Sequence, residues 1–219
     1  MMDALTDVPD IEQFIKSVDT SSVNRLLGIF FCPPESYGDT SRILNMAGYP
    51  GYQVLKGEIE GKSAVQGRDP KRGWTCPVKS EGAADSDFRI FIGLVRHPDT
   101  EKETRDTVSG WFGIVSFLHE LAHARDLNEG VTFRLGQPFK IRDAEYFAHD
   151  YVCKFLRERR MTCALTAYLS IAVISIAEIR EENAIIEAAR LFMKSEEYRQ
   201  SFQSIPRIYR KTFNIREPR

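Results

Sequence analysis

The chain has 219 residues, 42% hydrophobic and 28% charged, with 30 basic side chains against 31 acidic ones; this is the balance of an ordinary globular protein with apolar content for a sizeable core. A near-zero net charge gives no electrostatic ground for nucleic acid as the main partner, because phosphate binding needs a surplus of Lys and Arg on one face. The opening MMDALTDVPDIEQF is acidic where a secretion signal would be basic and then apolar, and Cys32, Cys76, Cys153 and Cys163 form no C-x-x-C pair; both point to reduced thiols in a cytoplasmic protein.

In chain order, Ile11 to Val18 reads as a short helix and Leu26 to Phe31 as a strand stopped by Pro33 and Pro34. Tyr52 to Ile59 is a second candidate strand. Gly61 to Asp87 is rich in Gly, Pro, Lys, Asp and Ser and reads as a long loop anchored by Trp74, a lid or an insertion. Phe88 to Val95 (FRIFIGLV) is the strongest strand, β-branched and aromatic throughout. His97, before a proline, reads as a loop residue.

A helix then runs from about Ser109 to Leu127, with Asn128 and Gly130 as its stop signal. Trp111, Phe112, Ile114, Val115, Phe117, Leu118, Leu121 and Ala122 surround it on most sides, which describes a helix buried in the core. Further helices are expected over Asp143 to Arg159, Thr162 to Arg180, Glu182 to Lys194 and Glu196 to Ser204. The longest apolar stretch, Ala164 to Ile179, is interrupted by Thr166, Tyr168, Ser170, Ser175 and Glu178; it is too short for a membrane span and reads as a core helix. The basic tail from Arg207 to Arg219 reads as a solvated or frayed end. The fold class is therefore α+β, with a small sheet in the first half and a helical second half.

The segment that carries chemistry is HELAH, His119 to His123, inside the buried helix. Residues four apart share a helix face, so both imidazoles can reach one metal ion while Glu120 points to its side. Zinc suits imidazole ligands, a catalytic zinc keeps one position for water, and Glu120 is the candidate base for that water.

Two histidines are not enough for a catalytic zinc, so a third ligand is needed, and Glu129, Asp143 and Glu145 compete for the place. Glu129 stands six residues after His123, a place that resembles the third-ligand position of metzincins, but that family carries a turn-forming Gly in between where Asp126 stands here. In the next helix Ala144, Phe147, Ala148, Tyr151, Val152, Phe155 and Leu156 define the buried stripe. Glu145 sits roughly 70° from its centre and Asp143 about 130° away on the solvent side, so helix phase favours Glu145. His149, one turn after Glu145, is placed to orient it, to donate to a reaction intermediate, or to lie on the helix surface. Asp126 shares a face with the two ligands and is placed to accept a proton from one of them, or to be a plain helix-end residue.

HELAH followed by E-Y-F-A-H, Glu145 to His149, resembles the gluzincin pattern HExxH…ExxA[D/N], in which the second Glu is the third zinc ligand. The stretch is similar to that of the ImmA/IrrE-type peptidases, soluble bacterial proteins that cleave repressors; the E-[FY]-x-A-D pattern also resembles membrane-bound prenyl-processing peptidases, whose spans are missing here. His149 replaces the usual Asp or Asn, and Cys153, Lys154, Phe155 and Leu156 stand where the repressor-cleaving family continues with Leu-Leu-Met-Pro.

The resemblance covers the two motif helices, about Ser109 to Leu156; with the chain length it leads to the expectation of a single zincin-like catalytic domain over residues 1–219, with an α/β lobe at 1–128 and a helical lobe at 129–219. It implies a zinc peptidase acting on a protein or peptide substrate, with His119, His123 and Glu145 on the metal and Glu120 as base. It further implies that the strand before the motif helix, Phe88 to Val95, is a sheet edge on which an extended substrate pairs. Two other functions fit the same residues: a non-catalytic binding or regulatory protein, in which His149 for example closes the zinc site, and an exported effector or toxin peptidase.

Overall fold

The computed structural model describes residues 9–55, 73–95, 107–134, 140–178 and 184–218. Helix α1 (Ile11–Ser17) begins where the Asp10 side chain accepts a hydrogen bond from the Gln13 N–H. The strands β1 (Leu26–Cys32), β2 (Tyr52–Val54), β3 (Gly73–Ser80) and β4 (Arg89–Val95) form one mixed sheet in the order β1-β4-β3-β2. β4 runs parallel to β1 and antiparallel to β3, and β2 is antiparallel to β3.

The alternation of β4 sorts its side chains between two cores. Ile90, Ile92 and Leu94 join the main core, while Phe91 faces a smaller cluster with Cys32, Cys76 and Val78, covered by Ile43 and Leu44 of helix α2 (Thr40–Met46). Buried on both faces and paired on both sides, β4 is central. The expectation that it forms a substrate-pairing edge is therefore overturned, and helix α2, absent from the sequence reading, supplies the second cover.

The supposed loop over Gly61 to Asp87 contains β3, a correction with a physical cause. Pro77 argues against a strand because it has no N–H to give a ladder. Its carbonyl, however, accepts from Leu55 N at 2.9 Å, so its missing donor faces the β2 side where that ladder ends. The β3–β4 ladder loses nothing. Trp74 does anchor this segment: its ring lies over Gly93, where an added Cβ would come within 2.6 Å of it, and its indole N–H donates to Thr40 Oγ1 at 2.9 Å. Residues 56–72, which include the end of the predicted Tyr52 to Ile59 strand, and His97 lie outside the described residues.

The rest is helical: α3 (Thr107–Glu129), α4 (Ile141–Glu158), α5 (Thr162–Glu178), α6 (Ala184–Phe192), α7 (Glu196–Ser204) and α8 (Arg207–Thr212). α3 packs on β3 and β4 with one side and on α1, α4 and α5 with others. It ends one residue before Gly130, which takes a positive φ of 66° as a helix stop requires. A single apolar core runs from Phe14 and Ile92 through Phe117 and Leu121 to Val152 and Phe192, crossing from the sheet half into the helical half. Among the described residues, no helix is long and apolar enough to cross a membrane.

Two contacts fasten the C-terminal helices. Arg157 holds Glu197 with two parallel bonds of 2.9 and 2.8 Å, tying α4 to α7, and within α7 the Ser201 hydroxyl donates to the same carboxylate at 3.0 Å. Glu197→Ala should cost about 2 kcal/mol, since bonds to a charged group contribute ~1.5–3 kcal/mol and partial exposure discounts them. At roughly 2–4 °C per kcal/mol this lowers the melting midpoint by about 4–8 °C. A thermal scan that leaves the midpoint unchanged would show the pair to be ornamental. The basic tail, expected to be solvated or frayed, is largely exposed but held at three points: Tyr198 donates to the Arg216 carbonyl at 2.6 Å, Ile215 is buried, and Arg210 stacks on Phe202 at 4.4 Å.

Candidate metal centre

Among its described side chains helix α3 is mostly buried, so a polar group in its buried part needs a partner from a neighbouring element. His119 and His123 face α4 and α5, and Glu120 faces β3. α4 packs on α3, and its buried residues include Ala144, Ala148 and Val152, small and medium side chains that let neighbouring helices approach closely; Glu145 reaches the imidazoles from this helix.

The three donor groups form a triangle. His119 Nε2 lies 3.2 Å from His123 Nε2 and 3.2 Å from Glu145 Oε2, and His123 Nε2 lies 3.5 Å from Glu145 Oε1. A tetrahedral site with bonds of ~2.0–2.1 Å has ligand–ligand edges of roughly 3.3–3.4 Å, so the triangle has the size a zinc-like ion needs. Two imidazole nitrogens this close, each with a lone pair, also need a proton or a cation between them. His119, His123 and Glu145 can therefore hold a metal ion, and they are the one such group among the described residues. Their side chains keep 17–20% exposure, so the group is not fully enclosed by the described residues.

The electrostatics follow the geometry. For Glu145, burial pushes the carboxyl up, but hydrogen bonds and charges from both histidines outweigh this and hold it well below the usual range. For His123, burial pushes down, while the Glu145 bond and the charges of Glu145, Glu120 and Asp126 win and bring it up to about 9. Without a metal the triangle is thus an imidazolium–carboxylate pair, the state a divalent cation would replace.

Glu120 stands beside the triangle. The Thr75 hydroxyl is 2.8 Å from its Oε2 and 3.0 Å from its carbonyl, donating to either. Gly73 gives it room: a Cβ there would lie 2.7 Å from Glu120 Cγ. Burial raises the Glu120 carboxyl, against the opposing pull of His123, His119 and Thr75, so it is a readier proton acceptor than an exposed Glu. The Tyr37 phenol, packed on Trp74 at 5.1 Å, is pushed up to about 12 by burial and then by the charges of Glu120 and Glu145, and stays protonated within their field.

The other residues singled out from the sequence are not among the three grouped donors. His149 is buried, not on the helix surface; its Nδ1 meets the Tyr168 hydroxyl at 2.9 Å, and it is not among the grouped ligands. Asp126 is buried too, but accepts from Thr132 N at 2.6 Å and from the Thr132 hydroxyl, closing the turn after α3. His123 feels its charge without a hydrogen bond to it among those described. Glu129 pairs with Arg125 at 3.4 Å and Asp143 with Arg142 at 3.0 Å, so both rival ligands point outward.

Sequence reasoning missed Thr75, Gly73, Tyr37 and Tyr168. Thr75 and Gly73 sat in the segment read as a loop. Tyr168 had one signal, a hydroxyl inside an apolar helix, which must find a partner when buried. No family model matches this chain, and neither a curated protein nor a solved structure does.

Proposed function

We propose that this chain is a zinc-dependent peptidase, with His119, His123 and Glu145 holding the metal and Glu120 handling the protons. The observation that supports it most is the 3.2–3.5 Å triangle of donor atoms with a buried carboxylate beside it. The partial exposure of these side chains and the absence of a fourth grouped ligand among the described residues support a catalytic site over a closed structural one. When bound, zinc acidifies water and polarises a peptide carbonyl. Glu120 takes the proton of the attacking water and returns it to the departing amine. The gluzincin resemblance of HELAH and E-Y-F-A-H agrees with this reading.

The test is zinc-dependent cleavage of a mixed set of internally quenched peptides, abolished by a chelator and restored by zinc. Zinc-loaded protein that cleaves none of them, nor a denatured protein, would count against a peptidase.

Thr75 gives a finer check. Thr75→Val keeps the shape and removes the hydroxyl that aims Glu120, so kcat should fall by about tenfold with zinc content unchanged. Unaltered kcat would mean that Glu120 is held by packing alone.

A further inference from the structure

We propose that Tyr168 and His149 form a neutral relay that fixes His119 in its metal-binding tautomer, in the place where zinc histidines often lean on a carboxylate; this rests on the metal site proposed above. The Tyr168 hydroxyl lies 3.0 Å from His119 Nδ1 and 2.9 Å from His149 Nδ1. It has one proton, so it donates to one ring and accepts from the other.

The direction follows from the triangle. For His119 Nε2 to offer a lone pair to a metal, the ring proton must sit on Nδ1, and it then donates to Tyr168 Oη. The hydroxyl proton is left for His149 Nδ1, so His149 carries its own proton on Nε2. The reverse direction would put a proton on His119 Nε2, aimed at Glu145 and His123, and block the site.

Two further observations fit. His149 Nε2 is buried with no hydrogen-bond partner among the described residues, so the Tyr168 contact at Nδ1 is what decides which nitrogen carries the proton. The His149 ring stacks on Phe192 at 5.4 Å, which fixes the distant end of the relay. Tyr168 is thus a positioning residue that acts through His119.

The test is zinc affinity, by competition with a chromophoric chelator, together with imidazole nitrogen chemical shifts in the zinc-loaded protein. Tyr168→Phe should weaken zinc binding by about 10–100-fold. His149→Phe should weaken it as well, and the double variant no more than Tyr168→Phe alone, because the relay acts as one unit. In the wild type, His149 should show its proton on Nε2. Unchanged affinity in Tyr168→Phe, strictly additive losses, or a proton on His149 Nδ1 would overturn the relay while leaving the metal site standing. A wild-type chain that takes up no zinc would instead contradict the proposed function.

Discussion

Replacing Glu120 with Gln should lower kcat by about 10²–10⁴-fold while leaving zinc in place, the span expected for removing a positioned general base. Gln keeps the length and an amide oxygen for the Thr75 hydroxyl, so the pocket beside Gly73 stays filled. What it cannot do is accept a proton. Burial already holds the Glu120 carboxyl above its usual range, so its charge works against the fold above the ordinary carboxylate pKa. The metal-free variant should therefore melt at the same temperature as wild type or higher. Loss of activity with intact zinc and an undiminished midpoint identifies a chemical role; full activity with zinc bound would remove Glu120 from the mechanism.

Zinc should also raise the melting midpoint, by an amount that grows from pH 7 to pH 9. A ligand present at 1,000 times its Kd adds about 4 kcal/mol, or roughly 8–16 °C for a chain of this size. The pH trend comes from what the metal displaces. In the metal-free chain His123 is raised to about 9, so its share of stability is complete below the ordinary histidine value and is lost as pH climbs through 9. Glu145 is depressed, so its share is present above the ordinary carboxylate value and is lost only as pH falls through its lowered folded value. Near pH 7 zinc must expel the His123 proton, releasing about one proton per ion, and near pH 9 much of that work is already done. Thermal scans with and without zinc at the two pH values read this directly. A zinc gain that shrinks toward pH 9 would contradict the assignment of His123 as a ligand.

Local signals made the centre of this site legible. His119 and His123 stand four apart on a helix, and that spacing alone puts them on one face. Helix phase placed Glu145 inward of Asp143, and the ion pairs of Asp143 and Glu129 agree. The stripe itself was drawn too narrow: α4 is packed by α3, α5, α6 and α7, so its buried face extends to His149 and Cys153, while Phe147 and Tyr151 are only half-buried. A period argument assumes one buried side, and this helix has more.

What stayed hidden depends on contacts between distant parts of the chain. FRIFIGLV marked a strand, but its central place depends on β1 and β3 pairing to either side. β3 was masked by Pro77, harmless only because of where β2 stops. The Tyr168 hydroxyl is 49 residues from His119, and the Thr75 hydroxyl 45 from Glu120; no period or spacing rule reaches that far. Asp126 shared a face with the ligands, yet Thr132 claims its carboxylate, because closing the turn after α3 buries it.

The most direct measurement is the metal content of the purified protein, by elemental mass spectrometry, for wild type and for His119→Ala and Glu145→Ala. The triangle predicts one zinc per wild-type chain and loss of that zinc in both variants, with each variant still folded by circular dichroism. Wild type that stays metal-free after zinc is offered, or a Glu145→Ala chain that holds zinc as tightly as wild type, would contradict it.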